Sequence, residues 1–118
     1  MRINIGEVVT AMVTPFNQNQ EVDYNAVEKL ADYLINNGSD SILVAGTTGE
    51  SPTLTHEEEL EILKVVKKVV GNRAKVMMGA GSNCTITAVK ATQQAEKAGA
   101  DAILSVVPYY NKPSQAGL

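Results

Sequence analysis

Apolar residues along the chain form short β-branched runs that alternate with longer segments of helical periodicity. Residues 7–14 are mostly apolar and β-branched, and Pro15 follows them, which predicts a first strand. Asp23 then has the position of a helix N-cap, and Asn37 and Gly38 end the helix that follows. The apolar positions of this helix recur at i, i+3, i+4, i+7 and i+8 and are Val27, Leu30, Ala31, Leu34 and Ile35.

A second strand and helix come next. Residues 41–45 lack polar alternation, as expected of a strand that is covered on both faces. Thr55 and Glu58 have the spacing of a capping box. They predict a helix that runs to about Val70 and ends at Gly71.

The remaining part of the chain repeats this scheme. It predicts a strand at 75–78, a helix at 85–98 and a strand at 101–107, and Pro113 suits the first turn of a further helix. Strands and helices that alternate with short connections imply parallel strands joined by right-handed crossovers. The fold class is therefore α/β, and an open doubly wound sheet and a barrel are both consistent with the pattern.

The chain stops within the first residues of this last predicted helix, so we expect a truncated domain. Its first and last strands would be unpaired edges, and exposed parallel edges invite pairing with another copy of the chain. In either layout, functional residues are expected at the carboxyl ends of the strands.

Composition excludes several classes of partner. The formal net charge of −3 and the pI near 5.1 argue against nucleic-acid binding, which needs clustered Lys and Arg. Apolar runs are far shorter than the roughly 20 residues that cross a membrane. Cys84 is the single cysteine, so no internal disulfide forms and a reducing cytoplasm is the expected compartment.

A glycine-rich loop with two hydroxyls follows the second predicted strand at 46–51. Thr47 and Thr48 with the neighbouring backbone N–H groups, just before a helix, suit a carboxylate or phosphate. The alternative is a glycine turn with capping threonines. The loop lacks the Lys of a P-loop and the spacing of a dinucleotide fingerprint, so we expect no cofactor.

Other polar candidates follow the third and fourth strands. Tyr109 and Tyr110 are expected on the same face as the two threonines, where a tyrosine hydroxyl can pass a proton; packing at a subunit contact is the alternative. Asn83 has the default position of a helix cap. His56 is the single histidine, and without neighbouring ligands it predicts a surface side chain and no metal site.

Four segments together closely resemble the dihydrodipicolinate synthase family of Schiff-base lyases. They are residues 11–16, 46–51, 79–85 and 107–115, and the resemblance extends over essentially all 118 residues. The Gly-Thr-Thr-Gly-Glu motif is shared with N-acetylneuraminate lyase and sugar-acid aldolases, whereas the Tyr-Tyr-Asn-Lys-Pro run favours the synthases. The resemblance implies a (β/α)8 TIM barrel, of which this chain would supply an N-terminal half of about four parallel strands and three helices.

The resemblance also implies an activity and the residues behind it. Family enzymes condense pyruvate with aspartate semialdehyde in lysine biosynthesis, through an imine on a lysine. Thr48 would bind the pyruvate carboxylate, and Thr47 and Tyr110 would take part in a proton relay. The tyrosine at position 110 would reach the neighbouring subunit's site, which implies a homodimer or homotetramer.

A regulatory lysine site is implied at His56, Asn83, Thr87 and Tyr109. Position 87 is threonine where lysine-sensitive bacterial members have an acid, so strong inhibition by lysine is not expected.

The imine-forming lysine of the family lies on the sixth strand, and further catalytic residues follow the fourth helix. None of these is in the chain, so we expect it to be inactive alone. A non-enzymatic half-barrel that binds small anions or drives assembly, and a fragment of a sibling sugar-acid aldolase, are the alternative interpretations.

Overall fold

The computed structural model describes residues 3–118, which form four strands and three α-helices in strict alternation. Two short 3₁₀ turns, Ser51–Thr53 and Gln115–Gly117, lie in the loops after the second and fourth strands. The elements in chain order are β1 (Val9–Ala11), α1 (Tyr24–Asn36), β2 (Ser41–Val44), α2 (His56–Val70), β3 (Lys75–Gly79), α3 (Thr85–Lys97) and β4 (Ala102–Leu104).

Local capping signals place the first two helices where the sequence predicts them. The Asp23 side chain accepts a hydrogen bond from the Ala26 N–H at 3.0 Å. Thr55 and Glu58 make both bonds of the capping box at the start of α2. No helix within residues 3–118 is long and apolar enough to cross a membrane.

Two predictions about helix starts are wrong. Cys84, and not Asn83, occupies the N-cap of α3, and its side chain makes no capping bond. Asn83 is exposed one residue earlier and is therefore not needed for the helix. Near the end of the chain a 3₁₀ turn begins at Gln115 with Ser114 as its N-cap, so Pro113 does not open a helix.

The strands form one parallel sheet in the order β1-β2-β3-β4. Residues Ile42, Val44, Val76 and Met78 belong to the buried core that the helices cover. A doubly wound sheet would reverse its strand order and have helices on both faces. Sequential order with the helices on one face instead matches a segment of a (β/α) barrel, which decides between the two layouts.

The opposite face of the sheet is open at its edges. Strand β2 is buried at all four residues, as predicted for a strand covered on both sides. The edge strands are less buried, since Val9 in β1 is 36% exposed and Leu104 in β4 is 48% exposed. The reason is that each edge strand has a neighbouring strand on one side only.

Polar side chains at the amino ends of the strands, the N-terminal edge, are fully engaged. Asp40 accepts hydrogen bonds from the Val8 N–H at 2.8 Å and from the Glu7 N–H at 2.9 Å. Both bonds lower the pKa of its carboxyl group, and the bond from Val8 has the larger effect. Asp101 accepts hydrogen bonds from the Lys67 ammonium and the Val76 N–H, both at 2.8 Å. Partial burial by itself would raise the pKa of Asp101, but these two donors and the Lys75 ammonium outweigh it and lower the pKa.

Candidate active site at the carboxyl ends of the strands

The loops that follow the four strands meet at one edge because the strands are parallel. We call this edge the C-terminal edge. The loop after β2 contains a tight turn at 46–50, the threonine turn. It is closed by hydrogen bonds from the Gly49 N–H to the Gly46 carbonyl at 3.1 Å and from the Glu50 N–H to the Thr47 carbonyl at 3.0 Å.

Thr47 and Thr48 form the exposed apex of this turn. Within residues 3–118, neither their hydroxyls nor their backbone N–H groups have a protein hydrogen-bond partner. Two hydroxyls and two N–H groups are thus available to a ligand. Neutral donors grouped in this way suit a carboxylate, and the anion site expected for this loop stays a prediction.

The base of the threonine turn is held by residues just after the end of strand β1. The Thr14 hydroxyl is buried and donates a hydrogen bond of 2.6 Å to the Gly49 carbonyl. A side chain on Gly49 would come within 3.1 Å of the Met12 carbonyl oxygen, so the turn packs directly against the end of this strand. Sequence reasoning treated Thr14 only as the last residue of a predicted strand and missed this contact.

A second close approach joins β2 and β3. A Cβ atom on Gly79 would lie far inside contact distance of the Ala45 carbonyl oxygen. Glycine is therefore required here so that the two strand ends can lie side by side. Gly49 in the threonine turn and Gly79 at the end of β3 thus both allow close packing of backbone.

The loop after β4 contains the two candidate tyrosines. Tyr110 is 90% exposed and has a φ of 69°, in the left-handed region. Tyr109 is 54% exposed. Both lie at the same edge as Thr47 and Thr48, as predicted, and neither hydroxyl has a partner within the part of the chain that the structure describes.

A half-open cleft of about 990 Å³ lies between the start of α2, the helix α3 and the loops after β3 and β4. Three of the four predicted regulatory residues line it, namely His56, Thr87 and Tyr109, and so does the predicted catalytic residue Thr47. Asn83, Thr48 and Tyr110 lie outside it. The polar residues that line it include Thr47, His56, Thr87, Lys90, Gln94 and Tyr109.

A chain of hydrogen bonds crosses the wall of this cleft. The Ser51 hydroxyl donates to Glu59 Oε1 at 2.5 Å, and His56 Nδ1 lies 3.4 Å from Glu59 Oε2. On its other side, His56 Nε2 contacts Gln94 Oε1 at 2.5 Å. The predicted surface side chain of His56 is 34% exposed, and it also links α2 to α3 through Gln94.

The nucleophilic and metal-binding side chains of the site are few. Lys90 is the one lysine that lines the cleft among residues 3–118, and it is exposed. Cys84 is exposed beside it, and the Thr87 hydroxyl, followed by nearby N–H groups and the Lys90 ammonium, lowers the pKa of its thiol. No group of three His, Cys, Asp or Glu residues in the described range is arranged to hold a metal ion.

The chain is similar in sequence to curated enzymes that share one name. Curated relatives named 4-hydroxy-tetrahydrodipicolinate synthase are 62% identical in Synechocystis and 52% identical in Oceanobacillus iheyensis, each over 113 residues. These matches include 96% of this chain but 38% of each relative, so the chain spans about two fifths of their length.

Solved structures give the same result. A dihydrodipicolinate synthase from Bacillus anthracis has a TM-score of 0.95 and 49% identity, over 98% of this chain and 40% of that one. A second, from Cyanidioschyzon merolae with lysine bound, has a TM-score of 0.93 and 55% identity, over 96% and 39%. The four parallel strands and three helices match the N-terminal part of these TIM barrels. Since residues 4–118 also match the dihydrodipicolinate synthetase family, the chain belongs to that family.

Proposed function

We propose that this chain supplies the pyruvate-binding loops of a 4-hydroxy-tetrahydrodipicolinate synthase. Such an enzyme condenses pyruvate with aspartate semialdehyde through a lysine imine. The observation that supports the proposal most directly is the apex of the threonine turn, where the hydroxyls and N–H groups of Thr47 and Thr48 have no protein partner within residues 3–118. The names of the relatives support the reaction.

Three residues have separate roles in this proposal. Thr48 binds the pyruvate carboxylate through its hydroxyl and N–H, because both groups are exposed and unpaired within residues 3–118. Thr47 and Tyr110 pass a proton between the bound substrate and solvent, a task that suits hydroxyls, which can donate and accept. Both hydroxyls are exposed at the same edge of the sheet.

The imine-forming lysine lies outside this chain in our proposal, so the chain alone does not turn over. A nucleophilic lysine needs a desolvated pocket that frees its amine. Lys90 is exposed, and Lys67 and Lys75 lie at the opposite edge beside Asp101. The chain would then be the N-terminal part of a barrel, in keeping with its coverage of about two fifths of its relatives.

We further propose that the protein is a homodimer or homotetramer in the cytoplasm. Large apolar side chains are exposed on α3 and in the loop after β4, including Ile86 at 68% and Val107 at 61%. Patches of this kind mark contacts between proteins. A single exposed cysteine is typical of a reducing compartment.

A chimera tests this function. Residues 3–118 replace the matching segment of the Synechocystis relative, and condensation of pyruvate with aspartate semialdehyde is assayed. We expect activity, and Thr48→Val should raise the KM for pyruvate about tenfold or more, because one charge-assisted hydrogen bond is lost. A folded chimera without activity contradicts the proposal, and one that still binds pyruvate would instead indicate a binding module.

Borohydride trapping with pyruvate, followed by intact mass, tests the missing nucleophile in the chain alone. We expect an unmodified mass, with the full-length relative as the positive control. A pyruvyl adduct on one specific lysine would show that the chain has an imine site of its own.

The cleft supports a second proposal, a regulatory site that responds weakly to lysine. His56, Thr87 and Tyr109 line it, but Asn83 does not. Among the described residues that line the cleft, Glu59 provides the single carboxylate, and Ser51 and His56 already contact it. A lysine ammonium would therefore find no free acid, and Lys90 would repel it. Titration of the chimera with lysine should show weak inhibition, whereas strong inhibition at micromolar lysine would contradict this view.

A further inference from the structure

Thr14 lies in the segment that follows β1 and makes a long-range contact to the threonine turn. It is 6% exposed and is one of two buried polar residues within 3–118, the other being Ser41 at the opposite edge. Its hydroxyl donates to the Gly49 carbonyl at 2.6 Å, across 35 positions of sequence. The bond is the one side-chain hydrogen bond between the segment after β1 and this turn in the described part of the chain.

The bonded carbonyl belongs to the peptide that ends the turn. Glu50, the next residue, has a φ of 57° in the left-handed region, which is unfavourable for a side chain that is not glycine. The Gly49 N–H meanwhile bonds to the Gly46 carbonyl, so both polar groups of Gly49 are engaged. Fixing this peptide therefore fixes the turn whose apex presents Thr47 and Thr48.

We propose that Thr14 is a positioning residue that holds the apex of the threonine turn in place, so that Thr48 can bind a carboxylate and the Thr47 hydroxyl lies beside it. This inference rests on the proposed role of those two threonines. The hydroxyl is what matters, since a valine of nearly the same shape would fill the space and leave the Gly49 carbonyl buried without a partner.

Thr10, which lies within β1, provides a matched control. Thr10 also has a part-buried hydroxyl, and its Oγ1 lies 2.6 Å from Ser39 Oγ, but this pair is at the N-terminal edge. Thr14→Val and Thr10→Val each remove one hydrogen bond of the same length. Only the bond lost in Thr14→Val contacts the threonine turn. Thr14→Ser keeps the hydroxyl and should restore the behaviour of the unsubstituted chain.

Amide hydrogen exchange, followed by NMR without any ligand, gives the first readout. The Gly49, Glu50 and Ser51 amides, all bonded within the turn, should exchange about tenfold faster in Thr14→Val, which corresponds to about 1.4 kcal/mol. Thr10→Val and Thr14→Ser should leave these rates within about twofold. Unchanged rates in folded Thr14→Val, or equally fast exchange in Thr14→Ser, would overturn the proposal.

Pyruvate titration gives the second readout. The Thr47 and Thr48 amides should shift with pyruvate, and the Kd should weaken about tenfold in Thr14→Val but not in Thr10→Val. If the unsubstituted chain does not respond to pyruvate, the result counts against a carboxylate site at Thr48, the chimera decides the proposed function, and the exchange rates still decide the role of Thr14. If Thr14→Val does not fold, the hydroxyl proton of Thr14 in the unsubstituted chain decides instead. Slow exchange of that proton supports the bond to Gly49, and exchange at the solvent rate contradicts it.

Discussion

The two edges of the sheet differ in what their polar side chains contact. At the N-terminal edge, Asp40, Ser41 and Asp101 all bond to backbone or to lysine, and two of the three are buried or part-buried. At the C-terminal edge, the hydroxyls of Thr47 and Thr48 have no protein partner within residues 3–118. Polar groups that are already paired stabilise the fold, and those left unpaired at the surface are free for a ligand.

Backbone packing at the C-terminal edge should give the largest effect on stability. Gly79→Ala places a methyl group against the Ala45 carbonyl, and we expect a loss of about 3 kcal/mol in the free energy of unfolding. Gly46→Ala is the matched control, because its methyl group would make only ordinary contact with Leu43 and should change stability by less than about 1 kcal/mol. Urea unfolding followed by circular dichroism measures both, and equal effects would contradict the assigned clash.

Loss of the ion pairs of Asp101 at the N-terminal edge should have the second-largest effect on stability. Asp101→Asn weakens the bonds to the Lys67 ammonium and the Lys75 charge, and we expect a loss of about 2 kcal/mol in the same unfolding experiment. Glu61→Gln removes the exposed pair with Lys64 and should cost less than about 0.5 kcal/mol. A similar loss in both variants would show that the N-terminal edge adds no special stability.

Low pH should remove the stability that Asp101 contributes at the N-terminal edge. The pKa of Asp101 is lower in the folded chain than in the unfolded chain, so its contribution is fully present above the unfolded value of about 4. It is lost as the pH falls through the lower, folded pKa. Asp101→Asn should therefore lose less stability than the unsubstituted chain between about pH 5 and pH 2, as followed by thermal unfolding at each pH. Parallel curves would contradict this assignment.

The apex of the threonine turn should contribute least to stability. Thr48→Val removes an exposed hydroxyl without a partner in the described chain, so we expect the free energy of unfolding to change by less than about 0.5 kcal/mol. The same substitution weakens pyruvate binding in our proposal. A loss of more than about 1 kcal/mol in urea unfolding would mean that Thr48 stabilises the fold, and the contrast between the two edges would then be wrong.

Helix bounds could be predicted well because their signals are local. The capping box of Thr55 and Glu58 and the glycine at position 71 give α2 its observed limits of His56–Val70. Strand bounds could not, since a strand ends where its neighbour stops pairing. Strand β1 is predicted at 7–14 but spans Val9–Ala11, and β4 is predicted at 101–107 but spans Ala102–Leu104.

The candidate site was predicted in part. Parallel strands require that loops after them share an edge, and this placed Thr47, Thr48, Tyr109 and Tyr110 together. The contact from Thr14 was missed because its partner is 35 residues away and no local pattern marks it. The contact between His56 and Gln94 was missed for the same reason, as 38 positions separate the two residues.

Periodicity, capping and turn residues act over a few positions, so the class of fold, the order of its elements and the loops with the candidate chemistry could be predicted from the sequence. Periodicity did not separate an open sheet from a barrel segment, since both layouts bury the same apolar runs; the resemblance implied the barrel, and the strand order of the structure confirms it. The tertiary structure was needed to show which polar groups are paired. That depends on which distant strand ends lie side by side, as the contacts of Asp101 and Thr14 show.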